Sequence, residues 1–376
     1  MHLQFSMPFD PNLDASALLE PISPRPAVFA LLLLDAAGRA DATAYLGRTL
    51  DLRRRLGRLL GKSPGVSKLL NLREVTRRIE YQYVGAAFEA QWLLYRLNKF
   101  YYPDLYRQRL RLKSPALLKL NLRHRFPRCY PTRRLSQDGL LYYGPFPSRL
   151  AAERFAAEFL DLFKIRRCVE DLNPDPAHPG CIYSQMHMCL APCFAGCTDD
   201  EYQQEVRRVV AFLDAEGQSL IRSVEAERAQ ASEALEFEQA AKLHRRLEKV
   251  HEVLRQRPGL VRNLRDLHAV VVLPGADAKS PVFFRVSAGE LRGPVTLSLD
   301  ENVPSPVPLD QQLHTLLDPL ASPRDSPAAL PPWEHLSLLA RWYYSSFRQG
   351  ELLMLPPNQE IPHARLIRLC RKVLAQ

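Results

Sequence analysis

The sequence has no long hydrophobic run and no apolar leader segment. Its longest purely apolar run extends from position 27 to position 34, far shorter than the ~20 residues that a helix needs to cross a bilayer. Positions 1–26 contain Asp10, Asp14 and several prolines where a signal peptide would have an apolar core. We therefore predict a cytoplasmic protein without a membrane partner, in a compartment where free thiols persist and disulfides are rare.

Acidic residues are scarce over one long stretch of the chain. Between positions 48 and 134 there are 22 lysines and arginines but only five acids, and the whole chain has a formal charge of +10. A run of positive charge can be a solvated surface, but these cations alternate with Tyr, Phe and Trp residues. That pattern is typical of a surface that follows a nucleic-acid backbone. We therefore predict that this basic block binds DNA.

Cysteine is concentrated in one region. Six of the seven cysteines lie between Cys129 and Cys197, and five of those six fall between Cys168 and Cys197. Such thiols can hold zinc or an iron–sulfur cluster, form disulfides in a secreted protein, or serve as small buried apolar residues. The clustering argues against isolated buried thiols, and the expected compartment argues against disulfides. The spacing alone does not choose between iron–sulfur and zinc.

Hydrophobic periodicity predicts an α+β multidomain protein. The pattern indicates strands at 27–34, 43–46 and 75–84 with a turn at 35–38, and helices at 50–60 and 88–98. A basic, irregular linker at 110–134 precedes a helix at 149–163. Two amphipathic helices follow, with Thr198 or Asp199 as the N-cap, and then strands at 266–273, 281–286 and 295–299. The predicted units are a tail at 1–24, a sheet-and-helix domain at 25–112, a linker and Cys-rich region at 113–200, a helical hairpin at 201–258, a small β unit at 259–300, and a Pro-rich segment with a helical tail at 301–376.

The cysteines sit in a recognisable order of motifs. The segment Tyr142-Tyr143-Gly144-Pro145-Phe146 leads through the predicted helix to Phe163, Arg166 and Cys168. Further along, Ala191-Pro192 lies between Cys189 and Cys193. This order resembles the cysteine-rich region of the UvrC family of bacterial excision-repair nucleases. The resemblance implies a [4Fe–4S] cluster, with Zn²⁺ as the alternative, and leaves Cys197 as a spare. Its implied ligands are Cys168, Cys181, Cys189 and Cys193.

The basic block resembles the GIY-YIG nuclease domain that opens UvrC proteins. Tyr45-Leu46-Gly47-Arg48 stands where the family has Tyr-Ile/Val-Gly-Lys, and 52–55 stands where it has Leu-Arg-x-Arg. The resemblance implies catalytic roles for Tyr45, Arg48 and Arg55, which would activate water and grip the phosphate. The remaining basic side chains expected to contact DNA are Arg53, Arg54, Arg58 and Lys99.

Two positions depart from that nuclease pattern. Phe29 replaces the family's first tyrosine, and Leu94 replaces the glutamate that ordinarily holds one divalent metal ion, Mg²⁺ or Mn²⁺. Leucine cannot ligate a metal, and Glu89 lies five residues earlier and points elsewhere on the helix. We therefore predict a domain that binds DNA and is weak or inactive as an endonuclease. The alternative is an active enzyme that makes a single incision in damaged DNA.

The second helix of the predicted hairpin contains Leu-Glu-Phe-Glu-Gln-Ala-Ala-Lys-Leu at 235–243. This resembles the UVR motif, through which UvrC docks onto UvrB, although His244-Arg245 replaces the usual Arg-Asp. The resemblance implies a UvrB-like helicase partner, with a solvated intramolecular coil as the alternative. The expected partner contacts are Phe237, Glu238, Ala240, Ala241 and Leu243.

The last third of the sequence differs from full-length UvrC proteins. There, an RNase H-like nuclease and helix–hairpin–helix DNA binders follow the first strands, whereas a proline-rich segment at 304–332 and a helical tail follow here. We therefore expect neither of those two domains. The combined patterns predict a UvrC-like nucleotide excision repair protein that binds DNA and a UvrB-like partner.

Overall fold

The computed structural model describes residues 2–34, 43–61, 71–170, 172–299, 307–321, 330–356 and 358–375. These residues form helices and three four-stranded sheets in which every pairing is antiparallel. The predicted α+β class is confirmed at this level. In the same residues, every helix is too short or too polar to span a lipid bilayer.

The N-terminal unit is a four-stranded sheet flanked by helices, with strand order β1-β4-β2-β3. All seven residues of β2 are buried because helices cover both faces of that strand. The strands are β1 (Phe5–Pro8), β2 (Ala27–Leu33), β3 (Thr43–Thr49) and β4 (Thr76–Tyr83). The helices are α1 (Ala15–Leu19), α2 (Leu52–Leu60), α3 (Leu72–Val75), α4 (Ala87–Tyr101) and α5 (Tyr106–Arg109).

The segment predicted as an N-terminal tail is part of this unit, which corrects that prediction. Strand β1 pairs with β4 and sets Phe5 opposite Tyr81. Leu19 and Ile22 are buried in the same apolar cluster as Phe29. The strand was missed because its partner lies far along the chain. The turn predicted at 35–38 falls outside the described residues.

Helix α4 contributes to two hydrophobic cores. Leu93 and Leu97 pack against the N-terminal sheet. Phe88 and Trp92 pack instead against a cluster formed mainly by the C-terminal part of the chain, where the Trp92 indole donates a hydrogen bond to the Gly293 carbonyl at 2.9 Å. The helix therefore ties the N-terminal unit to the rest of the molecule.

The middle unit combines a sheet of order β6-β5-β7-β8 with helices. The prediction of an irregular linker over 110–134 is wrong, because two strands of this sheet form there. Neither strand alternates clearly, since β5 is buried at four of its five residues and β6 contains a proline. The strands are β5 (Ala116–Leu120), β6 (Cys129–Thr132), β7 (Leu141–Phe146) and β8 (Arg262–Asn263). The helices are α6 (Arg149–Leu160), α7 (Ile182–Gln185), α8 (Asp199–Asp214), α9 (Gln218–Glu233) and α10 (Phe237–Arg255).

Three long helices form where two were predicted. Thr198 caps α8 as expected, through a reciprocal capping box with Glu201. The apolar stripe then breaks at Gly217, whose φ of +89° favours glycine. A Cβ atom there would lie 2.4 Å from the Leu254 side chain, so glycine also lets α10 pack closely. The helical hairpin therefore consists of α9 and α10, and α8 is a separate helix before it.

The C-terminal unit is a sheet of order β11-β10-β9-β12 with helices on its faces. The third predicted strand is displaced, since it begins directly after a turn at Ala288 and Gly289, both with positive φ. The strands are β9 (Ala269–Leu273), β10 (Val282–Ser287), β11 (Glu290–Thr296) and β12 (Glu351–Met354). The helices are α11 (Leu309–Leu317), α12 (Trp333–Tyr343) and α13 (His363–Leu374).

The predicted helical tail completes this sheet. Strand β12 pairs antiparallel with β9, with Leu353 opposite Val270. Leu353 and Cys370 are buried together in one apolar cluster, so Cys370 behaves as a small core residue. The regions 259–300 and 301–376 therefore share a core and do not form separate units.

Candidate functional site

The structure brings Tyr45 and Arg55 together. Tyr45 lies on β3 opposite Leu31, and Arg55 lies near the start of α2, whose N-cap Asp51 accepts the Arg54 amide. The Arg55 Nη2 donates a hydrogen bond to the Tyr45 hydroxyl at 3.3 Å. Both side chains are half-buried, so a hydroxyl and a fixed positive charge are presented at one point on the surface. This arrangement can bind a phosphate oxygen.

The apolar ring of Phe29 lies next to Tyr45 of that pair. This ring is fully buried, and its centroid lies 6.2 Å from that of Tyr45. Gly47, opposite Phe29 in the sheet, makes room for the ring, because a Cβ atom there would come within 2.6 Å of it. The position where the family has a phenol oxygen therefore has none here.

Leu94 lies on the side of the sheet covered by α4. It packs with Leu46 against the apolar cluster that contains Val28 and Leu97. Tyr45 and Phe29 belong to the cluster on the other side. The structure therefore packs the half-buried Leu94 against hydrocarbon, on the opposite side of the sheet from the Tyr45–Arg55 pair.

Glu89 is buried near the start of α4. Its carboxylate accepts a hydrogen bond from the Gly85 amide at 3.2 Å. Burial raises the pKa of Glu89 to about 7, and the Gly85 hydrogen bond opposes that rise. The carboxylate thus closes the turn that precedes α4.

The other predicted DNA contacts are surface side chains. All of them are exposed to solvent, as the free ends of phosphate-binding cations must be. Lys99 also donates to the Tyr95 hydroxyl at 3.4 Å, and Arg53 donates through Nε to the Ile22 carbonyl. The exposed set comprises Arg48, Arg53, Arg54, Arg58 and Lys99.

Four of the five clustered cysteines influence one another. Burial raises the pKa of Cys189 to about 11, and Cys168, Cys181 and Cys193 add to that rise through charge repulsion. All four are free thiols, half-buried or buried. Cys197 is different, since beyond burial its pKa is raised by Glu201, Asp199 and Cys193. In the described part of the chain, no three His, Cys, Asp or Glu side chains meet as ligands of a single metal ion.

Arg166 supports the first of these thiols. Its buried guanidinium donates through Nε to the Phe126 carbonyl at 2.9 Å and through Nη1 to the Glu170 carbonyl at 2.7 Å. Nη1 also lies 3.9 Å from the Cys168 sulfur. Burial raises the pKa of Cys168, and Arg166 opposes that rise. A fixed positive charge beside a thiol favours the thiolate that a metal or cluster needs.

The tip of the helical hairpin exposes two large apolar side chains. Leu235 has a φ of +60° and is 69% exposed, and Phe237, the first residue of α10, is 70% exposed. Glu238 and Ala241 are exposed and Ala240 is half-buried. Leu243 is buried in the hairpin core, which corrects its assignment as a partner contact. Because Leu243 faces the hairpin core, only the exposed side of α10, with Phe237, Glu238 and Ala241, is available to another protein.

Three aromatic side chains on the N-terminal sheet were not predicted from the sequence. Phe5, Tyr81 and Tyr83 lie in mutual contact on the same side of that sheet as Tyr45. The Tyr-x-Tyr spacing in β4 predicts two rings on one face. No sequence pattern indicated the place of Phe5, because that place depends on the pairing of β1 with β4.

Comparisons with known proteins agree with this arrangement. A family model described as "UvrC/Cho excinuclease, middle domain" matches residues 116–212, and one described as "UvrB/uvrC motif" matches residues 218–253. The first covers β5 to most of α8, with the cysteines, and the second covers the α9–α10 hairpin. No solved structure gives a significant match.

Curated relatives carry one name, UvrABC system protein C. The protein from Proteus mirabilis is 30% identical over 309 residues, which cover 81% of this chain and 48% of that protein. The one from Methanothermobacter thermautotrophicus is 28% identical over 256 residues, or 68% of this chain and 43% of that protein. The chain thus spans less than half the length of these relatives. By its middle domain and its UVR motif, it belongs to the UvrC family.

Proposed function

We propose that this protein is a nucleotide excision repair component that binds DNA and docks onto a UvrB-like helicase subunit, with an N-terminal GIY-YIG domain that is weak or inactive as an endonuclease. The observation that carries the proposal is the exposed Phe237 at the tip of a matched UVR hairpin. A large aromatic side chain that is 70% exposed on a short, rigid hairpin is a typical anchor for a protein partner.

The surroundings of Phe237 support docking over a solvated intramolecular coil. The intramolecular core of the hairpin is formed by other residues, including Leu243, Leu247 and Val250, which are all buried. Phe237 therefore has no packing role within the hairpin that would explain its aromatic ring. The exposed Ala241 beside it is small enough to allow close approach of a second helix.

Weak catalysis follows from two side chains. Leu94 has no atom that can bind a divalent metal, and its neighbours in the N-terminal unit are apolar. Phe29 is fully buried and has no hydroxyl to hold a water molecule. At these two positions the chain therefore does not fit the metal site of the family nuclease.

One observation favours the alternative of an active, single-incision endonuclease. The Arg55–Tyr45 contact at 3.3 Å keeps two of the groups that the family uses on phosphate. That pair can hold a phosphate but contains no carboxylate to bind a metal ion, so it cannot by itself supply the ion that neutralises the leaving oxygen. The pair thus supports DNA binding more strongly than cutting.

The four coupled cysteines support a cofactor proposal for the middle unit. Cys168, Cys181, Cys189 and Cys193 match a [4Fe–4S] cluster in number and kind. A single zinc ion requires its ligands to meet at one point, whereas cluster ligands bind different iron atoms. The preference for the cluster over zinc rests on the resemblance of this cysteine order to that of the UvrC family. The cluster would hold together a region with little regular structure.

The docking proposal is tested by titrating labelled full-length protein with purified UvrB. We expect Phe237→Ala to weaken binding at least about tenfold, the usual effect of losing an interface anchor. Phe347→Ala is the matched control, since Phe347 is 92% exposed but lies in the C-terminal unit. Equal affinities for wild type and Phe237→Ala would overturn the proposal.

A further inference from the structure

Phe5, Tyr81 and Tyr83 form a half-exposed patch, called here the aromatic patch. Phe5 and Tyr81 are stacked, with ring centroids 5.1 Å apart and planes inclined by 20°. Tyr83 meets both at an angle, with centroids 5.7 Å from Phe5 and 5.4 Å from Tyr81. Phe5 remains 39% exposed. Three touching rings that reach solvent form a contiguous apolar surface, a feature that can mark a ligand site.

The aromatic patch is held rigidly. Phe5 and Tyr81 are paired across β1 and β4. The Ser23 amide donates a hydrogen bond to the Tyr83 hydroxyl at 2.9 Å, and the Arg25 guanidinium lies 4.9 Å from the Tyr83 ring centre. Little conformational freedom is lost when a flat ligand binds to such a surface.

The patch lies next to the phosphate-binding residues. Tyr81, Phe29 and Gly47 are neighbours in one row of the sheet, and Phe29 in turn contacts Tyr45. A short connection links the patch to α2 as well, because Arg53 donates to the Ile22 carbonyl while the next residue binds Tyr83. A strand whose phosphates lie along α2 can therefore place a base on the patch.

The charged side chains around the aromatic patch indicate the chemical class of its ligand. Arg53, Arg54 and Arg58 are exposed on α2, and Arg55 lies beside Tyr45. Arg25 is shared with Asp277 in an ion pair at 2.9 Å, so one of the neighbouring cations is partly neutralised. The remaining cations favour an anionic ligand that also has flat faces, which is the chemistry of a nucleic-acid strand.

We propose that the aromatic patch stacks an unpaired nucleobase of DNA whose adjacent phosphates are held by the arginines of α2. The inference rests on the proposed DNA binding and adds a preference for DNA with a base outside the helix. Duplex DNA hides the faces of its bases, so the patch contributes only where a base is unpaired or extruded.

The test compares two DNA probes and four proteins. One probe is a duplex with a single bulged 2-aminopurine, and the other is the same sequence fully paired. The proteins are full-length wild type, Phe5→Leu, Phe5→Trp and the control Phe347→Leu. Leucine keeps apolar volume without a stacking face, and tryptophan keeps the face. Affinity and 2-aminopurine fluorescence are measured together with thermal unfolding.

We expect wild type to bind the bulged probe more tightly than the paired one and to quench its fluorescence. Phe5→Leu should lose about tenfold in affinity for the bulged probe only, while Phe5→Trp and Phe347→Leu behave as wild type. Equal affinity of Phe5→Leu and wild type for the bulged probe overturns the inference, as does an equal loss on both probes. If wild type binds neither probe, the proposed DNA binding itself is wrong. If wild type is a dimer and Phe5→Leu is a monomer, the patch is a self-association surface and the inference is wrong.

Discussion

Arg55 donates a hydrogen bond to the hydroxyl of Tyr45 at 3.3 Å. The two residues come from a strand and the following helix, so the local fold alone brings them together. Leu94, which the family resemblance places in the same catalytic group, packs on the other side of the sheet. The N-terminal unit therefore keeps a pair that can bind phosphate, and Leu94 does not supply a metal ligand to it.

Removal of Arg55 should weaken DNA binding without changing the fold. We expect Arg55→Ala to lower duplex affinity and to reduce the slope of log affinity against log salt concentration by about one, because one phosphate contact is lost. The measurement is a salt titration of binding to a labelled duplex. Arg368→Ala is the control, since Arg368 is an exposed arginine on α13, in the C-terminal unit. Identical slopes for Arg55→Ala and wild type would contradict this role.

Replacement of Trp92 should destabilise the whole chain. Its ring centroid lies 5.0 Å from that of His335 and 6.0 Å from that of Phe284, and its indole binds the Gly293 carbonyl. We expect Trp92→Ala to lower the free energy of unfolding by about 3–5 kcal/mol, measured by urea denaturation. Trp333→Ala, at a half-buried position, should cost much less. Similar losses in both variants would show that α4 does not join the two units.

The cysteines should differ in their effect on cofactor content. Cys189→Ser removes a predicted cluster ligand, and Cys197→Ser removes the neighbouring cysteine that is not one. We expect iron and acid-labile sulfide per chain to fall sharply in Cys189→Ser and to stay at the wild-type level in Cys197→Ser. Protein purified without oxygen is analysed for iron, sulfide and zinc. Zinc without iron in the wild type would contradict the cluster.

Glu89 should make stability depend on pH. Burial raises its pKa from 4.5 to about 7, so the folded chain holds this proton more tightly than the unfolded chain does. The resulting stabilisation is complete below pH 4.5 and is lost as the pH rises through 7. It amounts to about 3 kcal/mol.

Glu89→Gln isolates this effect, because its amide oxygen can still accept the Gly85 hydrogen bond. We expect the difference in unfolding free energy between wild type and Glu89→Gln to fall steadily as the pH increases from about 4 to about 8. Denaturation at a series of pH values measures that difference. A difference that does not vary with pH would show that Glu89 is ionised in the folded protein.

Strong periodicity in the sequence located most of the long elements. Strand β2 is a continuous apolar run, and α2 and α4 follow the helical period, so each was predicted within a few residues. Strands β1 and β12 were not predicted, because each is short and gains its stability from a partner distant in sequence. The break at Gly217 was missed because the apolar stripe continues on both sides of it.

The candidate site shows the same division. Tyr45 and Arg55 were assigned to one site by the resemblance to the GIY-YIG pattern, and the two are close in sequence. The burial of Leu243 and the aromatic patch depend on tertiary packing and on the register of β1, which a sequence pattern does not specify.

The central claim is that the N-terminal unit holds DNA without cutting it efficiently. A nicking assay tests this most directly, with a lesion-bearing duplex, UvrB, ATP and Mg²⁺ or Mn²⁺, and with wild type, Arg55→Ala and Leu94→Glu compared. We expect salt-dependent binding but little or no incision by wild type. Efficient incision by wild type that Arg55→Ala abolishes would contradict it and show that another residue binds the catalytic metal.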